Sequence, residues 1–111
     1  MFQRILLAWQ SGRSQERALE LARSLAERFD AELAVCCLGD GAADARAAAG
    51  PEATIDSVAA AHAGRGLLRY AHTHGFDLLV MSRAHENEPL PRQVIDSASL
   101  PVLVVAEGDD S

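Results

Sequence analysis

The chain has 111 residues, 49% hydrophobic and 23% charged, with a mean hydropathy of +0.00, values that suit one globular domain (1–111) and leave no room for a second. Its ten basic residues are all arginine, against sixteen acidic ones, for a formal net charge of -6. Without a basic cluster, nucleic acid and anionic membrane are poor partners, because phosphate contact needs concentrated positive charge. No apolar run nears the roughly 20 residues that span a bilayer, and Met1 leads into Arg4 and a strand without signal-peptide organisation, so a cytoplasmic location is expected.

The first predicted element is a strand from Arg4 to Trp9, followed by a turn at Gln10, Ser11, Gly12 and Arg13. Ser14 is the expected N-cap of a first helix, and Glu16 places negative charge in its first turn. Ala18, Leu21, Ala22, Leu25 and Phe29 recur at helical spacing and predict the buried stripe, with Asp30 ending the helix. A second strand runs from Glu32 to Leu38, so the adjacent Cys36 and Cys37 point to opposite faces. They have neither the geometry of an ordinary disulfide nor CxxC spacing.

Gly39 to Gly41 break that strand, and the alanine-rich stretch from Ala42 to Gly50 is at best two turns of helix, stopped by Gly50 and Pro51. Thr54 to Val58 reads as a short edge strand. A helix from about Ala60 to Thr73 follows, turning Ala63, Leu67, Ala71 and either Leu68 or Tyr70 toward the core, with Gly75 as its left-handed terminator. Asp77 to Met81, four large apolar residues behind an aspartate, reads as a central strand buried on both faces. Ser82 to Pro91 reads as a loop, then a short helix carries Leu90, Val94 and Ala98. Pro101 to Val105 is the last strand, and Glu107 to Ser111 a solvated acidic tail. The alternation predicts an α/β fold, a doubly wound five-stranded parallel sheet, with ligand-capable loops at Gln10–Arg13 and Ser82–Pro91.

Three stretches together resemble the universal stress protein (UspA-like) domain: ILLAWQSGRSQERALELARSLAERFDAELAV, GRGLLRYAHTHGFDLLVMS and ASLPVLVV. The resemblance covers most of the chain but not Gly39 to Pro51. It implies strand order 3-2-1-4-5, the adenine nucleotide alpha hydrolase-like arrangement, and a homodimer through strand five, Pro101 to Val105. Nucleotide-binding members carry an acidic residue after strand one and, after strand four, a glycine-rich phosphate loop. Here Gln10 takes the acidic position, and SRAHENEPLPRQVIDSAS after Met81 contains no glycine. Glu88 and Pro89 fall where the family has its final glycine and serine. Glu86 and Glu88 repel phosphate, and Pro89 and Pro91 offer no amide hydrogen.

The resemblance therefore implies a non-enzymatic stress-response or regulatory protein, dimeric, without a cofactor, contacting protein partners and not holding ATP in the family manner. The alternative is a sensor of ATP, AMP or a small anion, with Trp9, Gln10, Ser11, Arg13, Ser82, Arg83 and His85 around the cleft. Trp9 either stacks on a base or fills space, and Arg83 either meets a ligand or pairs with Glu86 or Glu88. A third reading, a nucleotide hydrolase, lacks a recognisable catalytic or metal-binding constellation: His72 and His74 are two apart on a helix and do not share a face.

Overall fold

The computed structural model describes residues 2–10, 15–51, 53–84 and 88–107. Strands β1 (Arg4–Trp9), β2 (Glu32–Leu38), β3 (Thr54–Val58), β4 (Leu78–Arg83) and β5 (Val102–Ala106) alternate with helices α1 (Glu16–Phe29), α2 (Ala42–Ala49), α3 (Ala63–Thr73) and α4 (Pro89–Ser97). All strand pairs are parallel, in the order β3-β2-β1-β4-β5. The doubly wound sheet and its order are those the sequence reading expects.

Period-two alternation along the central strands feeds two cores. Ile5, Leu7, Trp9, Val35, Cys37, Leu78 and Val80 face α1 and α2; Leu6, Ala8, Cys36, Leu79 and Met81 face α3 and α4. Because β1 and β4 are covered on both sides, they read as uninterrupted apolar runs. At the sheet's amino edge the Asp77 carboxylate accepts the backbone N–H groups of Gln3 at 2.9 Å and Arg4 at 3.1 Å. Asp77 thus lies just before β4 and ties it to β1, rather than opening the strand.

Several boundaries and faces differ from expectation. The residue preceding α1 is Gln15, not Ser14, which lies outside the described residues. Leu21 is 37% exposed, and Leu19 is buried in its place beside Ala18 and Ala22, because the helix turns its small residues to the sheet. α3 begins at Ala63 rather than Ala60, and both Leu68 and Tyr70 pack against the core at its margin. β4 continues to Arg83, and Pro89 and Pro91 belong to the first turn of α4, not to a loop. A missing amide hydrogen is harmless there, since first-turn N–H groups have no intrahelical acceptor. β5 is shifted by one residue, leaving Pro101 before it.

α2 is a complete helix without any large apolar side chain. Fully buried Ala45 lets it lie close to the sheet, and arginines satisfy the carbonyls at and beyond its end. Arg46 reaches Pro51 O at 2.7 Å and Ala53 O at 2.8 Å, while Arg23 from α1 reaches Ala49 O at 3.3 Å. Gly39, before α2, has φ +91 and a β-carbon there would meet Ala60 Cβ at 3.0 Å, so the turn requires glycine.

Cys36 and Cys37 are both unpaired and buried, one in each core. Burial, with the charges of Cys37 and Asp56 behind it, pushes the Cys36 thiol from 9.0 up to about 12. Burial raises Cys37 and Tyr70 as well. The unfolded chain then releases these protons at lower pH than the folded one. Stability is therefore undiminished by these groups below the ordinary thiol value of 9.0 and falls as pH rises from there toward about 12. Urea denaturation across that window is expected to show the decline, and Cys36→Ala should make it shallower; an identical slope in the variant would exclude Cys36 as a contributor.

Candidate ligand cleft

Parallel strands place all their carboxyl ends on one edge, and in a doubly wound sheet the natural crevice lies where the winding reverses, here between β1 and β4. The register shows the opening. β1 pairs with β4 only as far as Leu7 with Val80, whereas β1 stays with β2 to Trp9–Cys37 and β4 stays with β5 to Arg83–Ala106.

Above this opening, the backbone leaving β1 is clamped by a side chain. Gln15, 1% exposed, accepts the Gln10 N–H on Oε1 at 2.8 Å and donates from Nε2 to the Gln10 carbonyl at 2.6 Å. The amide completes both backbone bonds of Gln10 as a neighbouring strand would.

Gln10 forms one wall of a hollow of about 260 Å³, with Leu38 from the end of β2, Ala60 from the segment before α3, Ala63 at the start of α3, and Leu90 of α4. It adjoins a wider recess of about 520 Å³ that Ala60, Ala63 and Leu90 share with His62, Gly64, Arg65 and Gln93. Its lining mixes Ala60, Ala63, Gly64 and Leu90 with the polar side chains of His62, Arg65 and Gln93. Close helix packing shapes it: a β-carbon on Gly64 would meet Leu90 Cδ1 at 3.4 Å.

The seven residues anticipated around the cleft divide. Gln10 lines the hollow. Trp9 is 7% exposed and packs in the core beneath α1, where its Nε1–H has no hydrogen-bond partner among the described residues. Ser82 is 1% exposed, and its hydroxyl likewise has no partner there. Arg83 lies across α4 from that recess, in a separate groove of about 580 Å³ with Glu88, Pro91, Arg92, Ile95 and Val104. Ser11, Arg13 and His85 lie outside the described residues.

Leu38, Ala63, Arg65, Leu90, Gln15 and Glu107 were not singled out from sequence as cleft residues. No local pattern marks them, because they converge from separate elements. Glu107 corrects the reading of a solvated tail. Its carboxylate accepts the backbone N–H groups of Arg17 at 3.2 Å and Ala18 at 2.5 Å, capping α1 from the far end of the chain. Among the described residues no group of three or more His, Cys, Asp or Glu is arranged to hold a metal ion, and no helix is long and apolar enough to cross a membrane.

No family model and no curated protein matches the sequence. Solved structures do. A universal stress protein in complex with cAMP is 20% identical, with a TM-score of 0.73 over 95% of this chain and 97% of that one. A universal stress protein from Archaeoglobus fulgidus DSM 4304 is 23% identical, with a TM-score of 0.76 over 99% of this chain; this chain spans 46% of that one. A universal stress protein from Archaeoglobus fulgidus in complex with dAMP is 17% identical, with a TM-score of 0.71 over 94% of this chain and 98% of that one.

The Gln15 clamp has a direct consequence. Gln15→Ala, which strips both partners from the Gln10 backbone, is expected to lower stability by about 1–3 kcal/mol in urea denaturation. Gln15→Glu keeps an acceptor for the Gln10 N–H but sets a carboxylate against its carbonyl. Its loss should be greatest when that carboxyl is ionised and should shrink on acidification; a pH-independent deficit would argue against the clamp.

Proposed function

We propose, from the universal stress protein fold that this chain has, a non-catalytic binding domain that takes an adenine nucleotide or comparable small anion at the carboxyl edge of its sheet. The observation that carries this reading is the hollow formed by Gln10, Leu38, Ala60, Ala63 and Leu90, beside the winding reversal and opening onto Arg65 and His62. The small apolar side chains suit a flat heterocycle, and Arg65 offers a cation to an anionic group. That proteins of the same fold are solved with cAMP and dAMP supports an adenine ring as the occupant.

A domain that only binds must pass its state on, and β5 supplies a surface for that. It is an edge strand, paired on one side by β4, with half-buried Val102, Leu103 and Val104, and Ile95 of α4 stands 51% exposed. Pairing with β5 of a second copy would cover this edge. In this reading the protein is a homodimeric regulator whose ligand modulates partner contact.

Calorimetric titration with adenosine, AMP and cAMP is expected to show one site per chain. Ala63→Phe, which fills the hollow, should abolish all three signals. Arg65→Ala should weaken AMP by about tenfold, or about 1.4 kcal/mol, and leave adenosine nearly unchanged. Absence of heat and of thermal shift with every adenine ligand would remove the binding reading. Sedimentation equilibrium should give twice the 11.8 kDa chain mass, and Ile95→Glu should shift it toward the monomer; a monomeric wild type would remove the β5 interface.

A further inference from the structure

Two carboxylates sit where an incoming phosphate would look for donors. At the carboxyl edge of an α/β sheet, phosphate is held by free backbone N–H groups of strand-to-helix turns and helix starts. Here the amide of Ala84, the first residue beyond β4, donates to Glu88 Oε1 at 2.8 Å. The first-turn amides of Arg17 and Ala18 in α1 donate to the two carboxylate oxygens of Glu107.

These are not independent surface contacts. The Glu107 N–H donates to the Arg83 carbonyl at 2.9 Å, continuing the β4–β5 ladder past the Arg83–Ala106 pair. Arg17 closes the same corner by donating from Nη1 to the Ala106 carbonyl at 3.3 Å. The end of β4 is therefore bracketed by a carboxylate bonded to Ala84 on one side and a carboxylate seated on α1 on the other. Glu88 is on the first-turn side of α4, and Glu107 is carried by β5, so both are set in position by elements of the sheet's own framework.

We infer that Glu88 and Glu107 are resident anions that limit the charge of the ligand, selecting nucleosides and monoanionic nucleotides over polyphosphates. The inference rests on the adenine-binding reading for the identity of the ligand, and its charge limit rests on the carboxylates bonded to the amides of Ala84, Arg17 and Ala18. A polyphosphate that recruits the amides of Ala84, Arg17 or Ala18 would have to displace the carboxylates bonded to them, and would meet their negative charge while doing so. A neutral ribose or a singly charged cyclic phosphate needs neither amide and can stay on the Arg65 side, across α4 from the Arg83 groove.

The test pairs adenine ligands with a probe that contains no adenine. At constant ionic strength and without divalent cations, wild-type affinity should fall severalfold at each step from adenosine or cAMP to AMP to ATP. Tripolyphosphate should leave its melting temperature unchanged against a chloride control. The Glu88→Gln/Glu107→Gln variant keeps an acceptor oxygen at each position without the charge; it should gain a tripolyphosphate-dependent stabilisation and narrow the gap between adenosine and ATP. Wild type that binds ATP as tightly as adenosine overturns the inference whether or not the variant folds, and so does a folded variant with no gain from tripolyphosphate. If tripolyphosphate stabilises the variant while no adenine ligand binds wild type, the charge limit stands and the adenine reading falls. If adenosine binds wild type while the variant ignores tripolyphosphate, the adenine reading stands and the charge limit falls.

Discussion

The hydrogen-bonded ladder that holds β1 between β2 and β4 is the constraint on which the other features depend. Once both neighbours have paired its backbone, β1 can be covered on both faces without leaving buried N–H or carbonyl groups unsatisfied. Ile5 and Leu7 then anchor α1 and α2 on one side, and Leu6 and Ala8 anchor α3 and α4 on the other. The same ladder stops short between β1 and β4 at Leu7–Val80, and that early separation makes the crevice. Core and cleft are thus consequences of one register.

Polar satisfaction outside the ladder is achieved largely by long side chains acting at a distance. Gln15 replaces a strand partner for Gln10, Asp77 ties the starts of β1 and β4, Arg23 and Arg46 close α2, and Glu107 caps α1. Local Ser or Asp caps are the usual solution; here none of the helices has a side-chain bond from its own N-cap residue. Elements far apart in sequence are consequently locked to one another at their ends. Among the described residues at the carboxyl edge, the amides of Ala84, Arg17 and Ala18 are engaged by the chain's own carboxylates.

The apolar hollow and the carboxylates occupy different parts of the carboxyl edge. The apolar hollow depends on small residues, Ala60, Ala63 and Gly64, which let α3 approach α4 closely and leave a recess at their start. The negative groups bracket the end of β4, whereas Arg65 lies on the recess side.

The sequence by itself determined the elements whose evidence is periodic. The apolar runs of β1, β4 and β5, the alternation in Thr54–Val58, the glycine after α3 and the end of α1 at Asp30 all express local rules, and each is found within about two residues of its expected place. From these the order of strands and helices follows, and so does the edge on which loops gather. What only the tertiary structure decided are the partners of long side chains and the membership of the hollow. Glu107 looked like the first residue of a solvated tail because its acceptors, Arg17 N and Ala18 N, are some ninety positions away. Trp9 at the end of β1 fits the space-filling reading over base stacking only because α1 packs over it, and α2 has no apolar stripe to announce it because alanine packing and two arginines hold it. Periodicity is a property of neighbouring residues and survives in the string; capping, burial of a particular ring and convergence on a cleft are distances between remote residues, and these exist only once the chain has folded.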